Sequence, residues 1–241
     1  MNQPVRSLRF WLITCAALVG VLLTASLGRW QLGRAAEKLA LQAQIDSRRA
    51  QPALDGQSLR TVADPTALLQ RRVVLRGHWL PTHTVYLDNR QMRGQPGFFV
   101  LTPLRLESAD TTVLVQRGWL QRNFLDRTQL PAVPTPSEPV TLSGWIAPAP
   151  SKLYDFAGAD AGAIRQNLDV AAFAAEIRQP LVPVTVLQTE GPGDGLLRDW
   201  PAPATGVDKH YGYAFQWFGL AGLMAILYVW FQLVRRFYPA R

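Results

Sequence analysis

Two uncharged apolar runs, one toward each end of a 241-residue chain, constrain this fold more than any other feature. Phe10–Leu27 holds 18 residues without a charge, and Tyr213–Val234 holds 22, with Gln216 and Gln232 as its only amides. Crossing the hydrocarbon core of a bilayer takes about 20 residues of helix, so each run is long enough to span. Arg6 and Arg9 precede the first run, and Arg235, Arg236 and Arg241 follow the second. Cytoplasmic flanks collect Lys and Arg, which predicts that both termini are cytoplasmic and the middle of the chain lies outside. The first run exceeds the roughly 7–15 residues of a signal-peptide core and has no strong small-x-small site near Thr24–Ser26, so it reads as a retained anchor. The expected organisation is a leader at 1–9, a transmembrane helix at 10–28, an extracytoplasmic domain at 29–210, a second transmembrane helix at 211–234 and a tail at 235–241.

Of the net charge of +8, five units sit on the flanking arginines. The outside region carries 20 basic and 17 acidic residues, too balanced for the clustered basic face of a nucleic-acid binder. The single cysteine, Cys15, lies inside the first run, so no intramolecular disulfide forms, and no CxxC or CxxCH exists to hold zinc or attach haem covalently. Three scattered methionines do not make a soft copper site.

Between the spans the pattern changes twice. GRWQLGRAAEKLALQAQIDSRR is proline-free and rich in helix formers, which predicts a helix over about Trp30–Arg49 continuing the first span, with Trp30 in the interfacial aromatic belt. Asp64-Pro65 reads as a cap and first helical residue of a short helix to Leu69. RRVVLRGHWL, THTVYLDNR, GFFVLTPLRL, TTVLVQRGWL, PVTLSGWI and LVPVTVLQTE are short Val-, Leu-, Thr- and aromatic-rich runs punctuated by turn residues, the signature of β-strands. In TTVLVQRGWL, period two puts Val113 and Val115 on one face, Leu114 and Gln116 on the other. Val170, Phe173, Ala174 and Ile177 make an apolar helical stripe with Asp169 as cap and Pro180 beyond its end. LPAVPTPSEP and WPAPATG are proline-rich connections. The fold class is therefore a membrane protein in which two transmembrane helices flank a mainly β domain with minor α, either barrel-like or an open antiparallel sheet.

No GxSxG elbow, Walker loop, GxGxxG or spaced metal-ligand cluster occurs. His78 falls in a predicted strand and His83 in a predicted turn, where each reads as structural. His210 stands at the mouth of the second span, followed on its helical face by Tyr213, Ala214 and Trp217, with Ala221 continuing that face. Small residues flanked by aromatics would leave a groove for a flat apolar ligand, with the imidazole Nε2 ligating a metal, and haem is the natural candidate. Arg29 and Arg34 stand ready to pair with propionates, and a single protein ligand suits a carrier that must release its cofactor. Gly219 and Gly222 permit close helix approach. The same residues also fit an interfacial anchor with ordinary belt aromatics, and spacing alone leaves both readings open.

HYGYAFQWFG, from His210 to Gly219, resembles the second-span signature of the surfeit locus family of cytochrome c oxidase assembly factors, with matches at His210, Tyr213, Ala214, Gln216 and Trp217. LGRWQLGRAAEK is similar to the family's motif after the first span, with matches at Leu27, Gly28, Trp30, Gln31 and Arg34, and LDNR, GFFVLTPL and VQRGWL fit as well. The match extends over nearly the whole chain but is weak from Pro131 to Pro203.

The resemblance implies an assembly factor for a haem-copper terminal oxidase, not an enzyme. Such a factor binds haem a and aids its insertion into the oxidase's large membrane subunit, with a haem a synthase as a further expected partner. It implies His210 as the haem contact and so the metal ligand; the groove reading adds Tyr213, Gln216, Trp217, Arg29, Trp30 and Arg34 as expected cofactor-binding residues. Trp30, Gln31, Arg90, Gly97 and Arg117 are motif positions whose turn-like context points to folding or partner contact. The absence of an Arg/Ser-rich transit segment favours a bacterial inner membrane with a periplasmic domain. A scaffold that stabilises oxidase subunits without touching haem is the alternative; a tethered enzyme acting on haem lacks any acid, base or nucleophile set.

Overall fold

The computed structural model describes residues 8–107, 110–126, 128–154, 162–191, 193–201 and 206–235. Arg6, Arg236 and Arg241 of the flanks lie outside the described residues, as does most of the WPAPATG connection. The chain divides into two compact units, one from 1–44 with 203–241 and one from 45–202.

In the first unit α1 (Leu8–Ala50) is one uninterrupted helix of 43 residues, and α4 (Val207–Tyr228) continues as a π-helical segment, Val229–Val234. At about 1.5 Å per residue α1 is roughly 65 Å long, twice what a bilayer core requires. Both helices are long and apolar enough to cross a membrane, and their apolar side chains are mostly exposed, as a lipid-facing surface must be. The withdrawn positions include Phe10, Thr14, Ala17, Val21, Thr24, Gly28, Gln31 and Ala35 on α1 and Val207, His210, Ala214, Trp217, Ala221, Met224 and Tyr228 on α4. Both sets advance by alternate steps of three and four, the seam of a helix pair wound like a coiled coil. Tyr228 donates to Thr14 Oγ1 at 2.9 Å, because the Thr14 hydroxyl proton is spent on Phe10 O at 2.8 Å. Gly20 faces Met224 and Gly28 faces Phe218, so the two helices run antiparallel.

The second unit is a closed barrel. Strand β1 (Arg72–Trp79) pairs with β5 (Val140–Ala147), β5 with β7 (Leu181–Gln188), β7 with β4 (Thr112–Gln121) and β4 with β3 (Gln95–Leu106). The ring closes where Gly77, His78 and Trp79 of β1 meet Leu106, Arg105 and Leu104 of β3. All pairs are antiparallel except β4–β7. This settles the barrel-or-sheet alternative, and closure also removes the exposed edges that an open sheet would carry. β3 runs on past the ring to pair with β2 (Val85–Met92), which in turn pairs with the two-residue β6 (Ile164–Arg165).

Three apolar clusters fill this unit. Leu75, Leu104, Val113, Val115, Ile146 and Val186 line the barrel interior. Leu87, Leu101 and Leu114 pack with Phe173 and Ile177 of α3 (Val170–Ile177), and Phe98, Val100, Leu120 and Leu196 make the third. The alternation expected for β4 is correct, yet both of its faces are buried, with Val113 and Val115 in the barrel and Leu114 beneath α3. Asp169 caps α3 by accepting from the Ala171 and Ala172 N–H groups, both at 3.1 Å. The helix expected after Pro65 is a 3₁₀ turn, Pro65–Leu68, capped by Asp64. A second short helix, α2 (Gly56–Thr61), has Asp55 as its cap.

Arg93 and Gly94, at φ 51° and 74°, form the two-residue loop between β2 and β3, and two successive positive φ values are what the type I′ hairpin turn demands. The last turn of α1 belongs to the barrel unit. There the Arg49 guanidinium stacks 4.9 Å from the Trp145 ring and donates to Gln70 Oε1 at 3.0 Å.

Candidate functional site

The strongest constellation is a pair contributed by the two membrane-length helices. His210 lies in the first turns of α4, and Gln31 lies on α1 just beyond its apolar run. The Nδ1–H of His210 donates to Gln31 Oε1 at 2.8 Å. An amide oxygen can only accept, so this bond uses a proton on Nδ1; in the neutral tautomer that matches it, the Nε2 lone pair is open to a ligand. No hydrogen bond to Nε2 exists among the described residues. Metal-bound histidines have their second nitrogen fixed in this way, which sets both tautomer and ring orientation. Both partners are seam residues, brought together by the same helix register that pairs Thr14 with Tyr228.

The other predicted site residues distribute unevenly. Trp217 is half-buried on the seam, two steps along from His210. Ala214 and Ala221 are almost fully buried against α1, so this face of α4 is packed rather than an open groove. Tyr213 is half exposed and Gln216 is exposed, with Gln216 roughly 120° round the helix from His210. Trp30 and Arg29 are exposed on α1. Arg34 is exposed too; it pairs with Glu37 at 2.8 Å and sits 5.8 Å from the Trp30 ring. Gly219 and Gly222 face open space instead of a close-packed helix, and the close approach falls at Gly28, whose missing Cβ leaves room for the Phe218 ring. Tyr213, Trp30 and Arg34 are therefore the exposed members of the predicted set, whereas Ala214 is covered.

The donor set decides what such a site can hold. No group of three or more His, Cys, Asp or Glu capable of holding a metal occurs among the described residues. One imidazole nitrogen beside exposed aromatic and cationic side chains suits a metal that brings its own equatorial ligands, such as a haem, and does not suit a bare ion.

The barrel motifs have a different role. β2 contains an extra residue at Asp88–Asn89, with Asn89 at φ 59°, between the pairs Leu87–Phe99 and Arg90–Gly97. This bulge shifts the alternation so that Arg90, which would otherwise face outward, is 5 % exposed. Its guanidinium donates to Ser151 O and Gln166 O, both at 2.9 Å, and burial depresses its pKa. The Trp119 indole donates to Arg90 O at 2.8 Å, and a Cβ on Gly97 would lie 2.5 Å from the Trp119 ring and 2.2 Å from Leu120 O. Arg117 is the extra residue of a second bulge, between Val100 and Leu101 on β3 and Gly118 and Gln116 on β4. The motif arginines thus sit in strands, not turns, and satisfy backbone carbonyls inside the fold. Of the two other histidines, His78 lies on β1 at 3.6 Å from Glu107, and His83 closes a 3₁₀ turn.

A closed β-barrel unit in a chain with two membrane-length helices, those helices joined by a histidine–amide pair, defines a membrane-anchored barrel protein. The chain belongs to the SURF1 family, whose sequence profile matches residues 18–222. It is similar to a SURF1-like protein of Rickettsia bellii, 27 % identical over 88 % of this chain and 87 % of the relative. Surfeit locus protein 1 of Arabidopsis thaliana is 32 % identical over 44 % of this chain and 33 % of its own length. The cytochrome oxidase assembly protein SHY1 of Saccharomyces cerevisiae is 34 % identical over a shorter stretch, 21 % of this chain and 13 % of SHY1.

Sequence reasoning named Gln31 as a motif position but not as the partner of His210. The two are 179 residues apart, and only the register of the helix pair joins them. The available signal was the three-four spacing of small and polar residues in both apolar runs.

Proposed function

We propose that this chain assists assembly of a haem-copper terminal oxidase of the cytochrome c oxidase type, binding haem a through His210 Nε2 and passing it to the oxidase's large membrane subunit. Family membership and the assembly role in the name of SHY1 support the coarse reading. The observation that carries the finer one is the 2.8 Å bond between His210 Nδ1–H and Gln31 Oε1. When bound, the iron supplies only a coordination position; the protein's contribution is to hold it by one labile bond. His210 presents Nε2, Gln31 fixes its orientation, and the exposed Tyr213 and Trp30 offer aromatic surface beside the ring, while Trp217 stays on the seam and Gln216 on another face. Arg29 and Arg34 pair with propionates at the water side. In this reading the chain works without catalysing a reaction, in a bacterial inner membrane, with both termini cytoplasmic, the barrel in the periplasm and a haem a synthase as the donor.

The test is a haem a titration of the full chain in nanodiscs. His210→Ala abolishes saturable binding, and Gln31→Ala weakens it about 10–100-fold. Equal affinity of wild type and His210→Ala would refute ligation. The scaffold reading draws on a different observation: Gly212, Gly219 and Gly222 have nothing within 4 Å of where a Cβ would stand, and Phe215 is 80 % exposed. It predicts no haem affinity in the wild type and loss of oxidase assembly on Gly219→Ile.

A further inference from the structure

A cavity of about 170 Å³ opens on the barrel, lined by Trp79, Arg117, Leu142, Gln188, Gly193 and Asp194. That is room for about five waters, or one medium-sized amino-acid residue. Its polar groups are incompletely satisfied. Arg117, 3 % exposed, donates to Pro134 O and Thr135 Oγ1, both at 2.7 Å, and stacks 4.7 Å from the Trp79 ring. Its Nε is buried without a partner. Asp194, the carboxylate nearest to Arg117, stands 3.8 Å away and is claimed instead by Arg198 at 2.5 Å. A buried and a half-buried guanidinium thus share one carboxylate, leaving a net positive charge at the cavity wall. On the same wall Gln188 is 5 % exposed; its Nε2–H donates to Glu190 O, while its Oε1 is buried with no donor. Other arginines carry an unpaired Nε too, among them Arg49, Arg71 and Arg90, so the group that distinguishes this wall among the described residues is the buried Gln188 acceptor.

We propose that this cavity captures the free C-terminal residue of a partner polypeptide. The carboxylate answers the Arg117 charge that Asp194, shared with Arg198, compensates only in part; the last peptide N–H donates to Gln188 Oε1, and a short aliphatic side chain packs on Trp79 and Leu142. A terminal residue alone offers an anion, a donor one residue back and an apolar group within this volume. Arg117 is the β4 bulge residue, so its position is built into the strand register. This inference does not depend on the haem reading, since none of its residues touches His210.

The probes are N-acetylvaline, its C-terminal amide and acetate, titrated into the full chain in nanodiscs with Arg117 Nε–H and Gln188 side-chain resonances followed by NMR. N-acetylvaline binds saturably, and the amide and acetate each bind at least about tenfold more weakly, since a charge-assisted bond and a second contact are lost. Gln188→Leu, which leaves the charges in place, weakens N-acetylvaline by about tenfold and leaves acetate unchanged. Equal binding of the amide, equal binding of acetate or no saturable shift would each overturn the proposal.

Discussion

The barrel and the helix pair bury their sequence in opposite ways. Along β4 nine successive residues, Thr112–Leu120, are buried, because one face fills the barrel and the other meets α3 or its neighbours. Along α1 a single stripe of residues is withdrawn from the surroundings, and Leu12, Val19, Leu22 and Leu23 stay exposed. The barrel is held by the hydrophobic effect and by buried arginines that tie loops to strands. The helix pair has little apolar burial of its own and relies on close contact at small residues and on a few polar bonds, as helices in lipid do. The difference teaches where each kind of substitution should hurt. Stability resides mainly in the barrel, whereas the proposed chemistry sits on a seam that tolerates little rearrangement.

The largest expected effect is in the barrel. Gly97→Val would drive a side chain into Leu120 O and the Trp119 ring, costing about 3 kcal/mol or more by overpacking and preventing thermal unfolding from remaining cooperative, as calorimetry would show. An unchanged transition would mean that β3 and β4 are not as closely apposed as described. Next comes Arg90→Ala, which strips the Ser151 and Gln166 carbonyls of their donor and destabilises by about 2–4 kcal/mol in denaturant titration.

On the helix pair, Gly28→Leu displaces the Phe218 ring and costs about 1–3 kcal/mol of helix association. It should reduce disulfide cross-linking between Thr14→Cys and Tyr228→Cys in a Cys15→Ser background, with barrel melting unchanged. The smallest effect is a pH dependence of α3. Backbone bonds from Ala172, followed by Lys152, lower the Asp169 pKa, and the Arg165 bond lowers that of Glu176. Carboxylates with depressed folded pKa values lend stability above their ordinary range and lose it as pH falls through the folded value. Amide exchange in α3 should therefore quicken selectively below about pH 4, and Asp169→Ala should blunt that response.

Much of this was legible in sequence, for particular reasons. Strand positions, the Asp64 and Asp169 caps and the continuation of the first span into a long helix all follow from local chemistry. Barrel closure did not, because the β1–β3 contact joins residues nearly thirty apart through no local signal. Nor did the inward turn of Arg90, since Asn89 can be recognised as a bulge only once Leu87 and Arg90 are matched to Phe99 and Gly97. His210 was legible as an outlier at the mouth of an apolar run. Its environment was not, because a helical wheel of α4 alone cannot say which face α1 will cover. The wheel suggested an open groove over Ala214, and α1 fills it. The roles of Arg29, Trp30 and Arg34 rest on exposure and charge beside the apolar run, which sequence and structure describe alike.

The central claim is that His210 ligates haem a with Gln31 setting its tautomer. The most direct test is the absorption spectrum, with pyridine haemochrome analysis, of wild type, His210→Ala and Gln31→Ala purified from cells making haem a. The account predicts stoichiometric haem a in the wild type, none in His210→Ala and a reduced, spectrally shifted complement in Gln31→Ala, with barrel unfolding unchanged in all three. A wild type without haem, or haem a retained undiminished by His210→Ala, would contradict it.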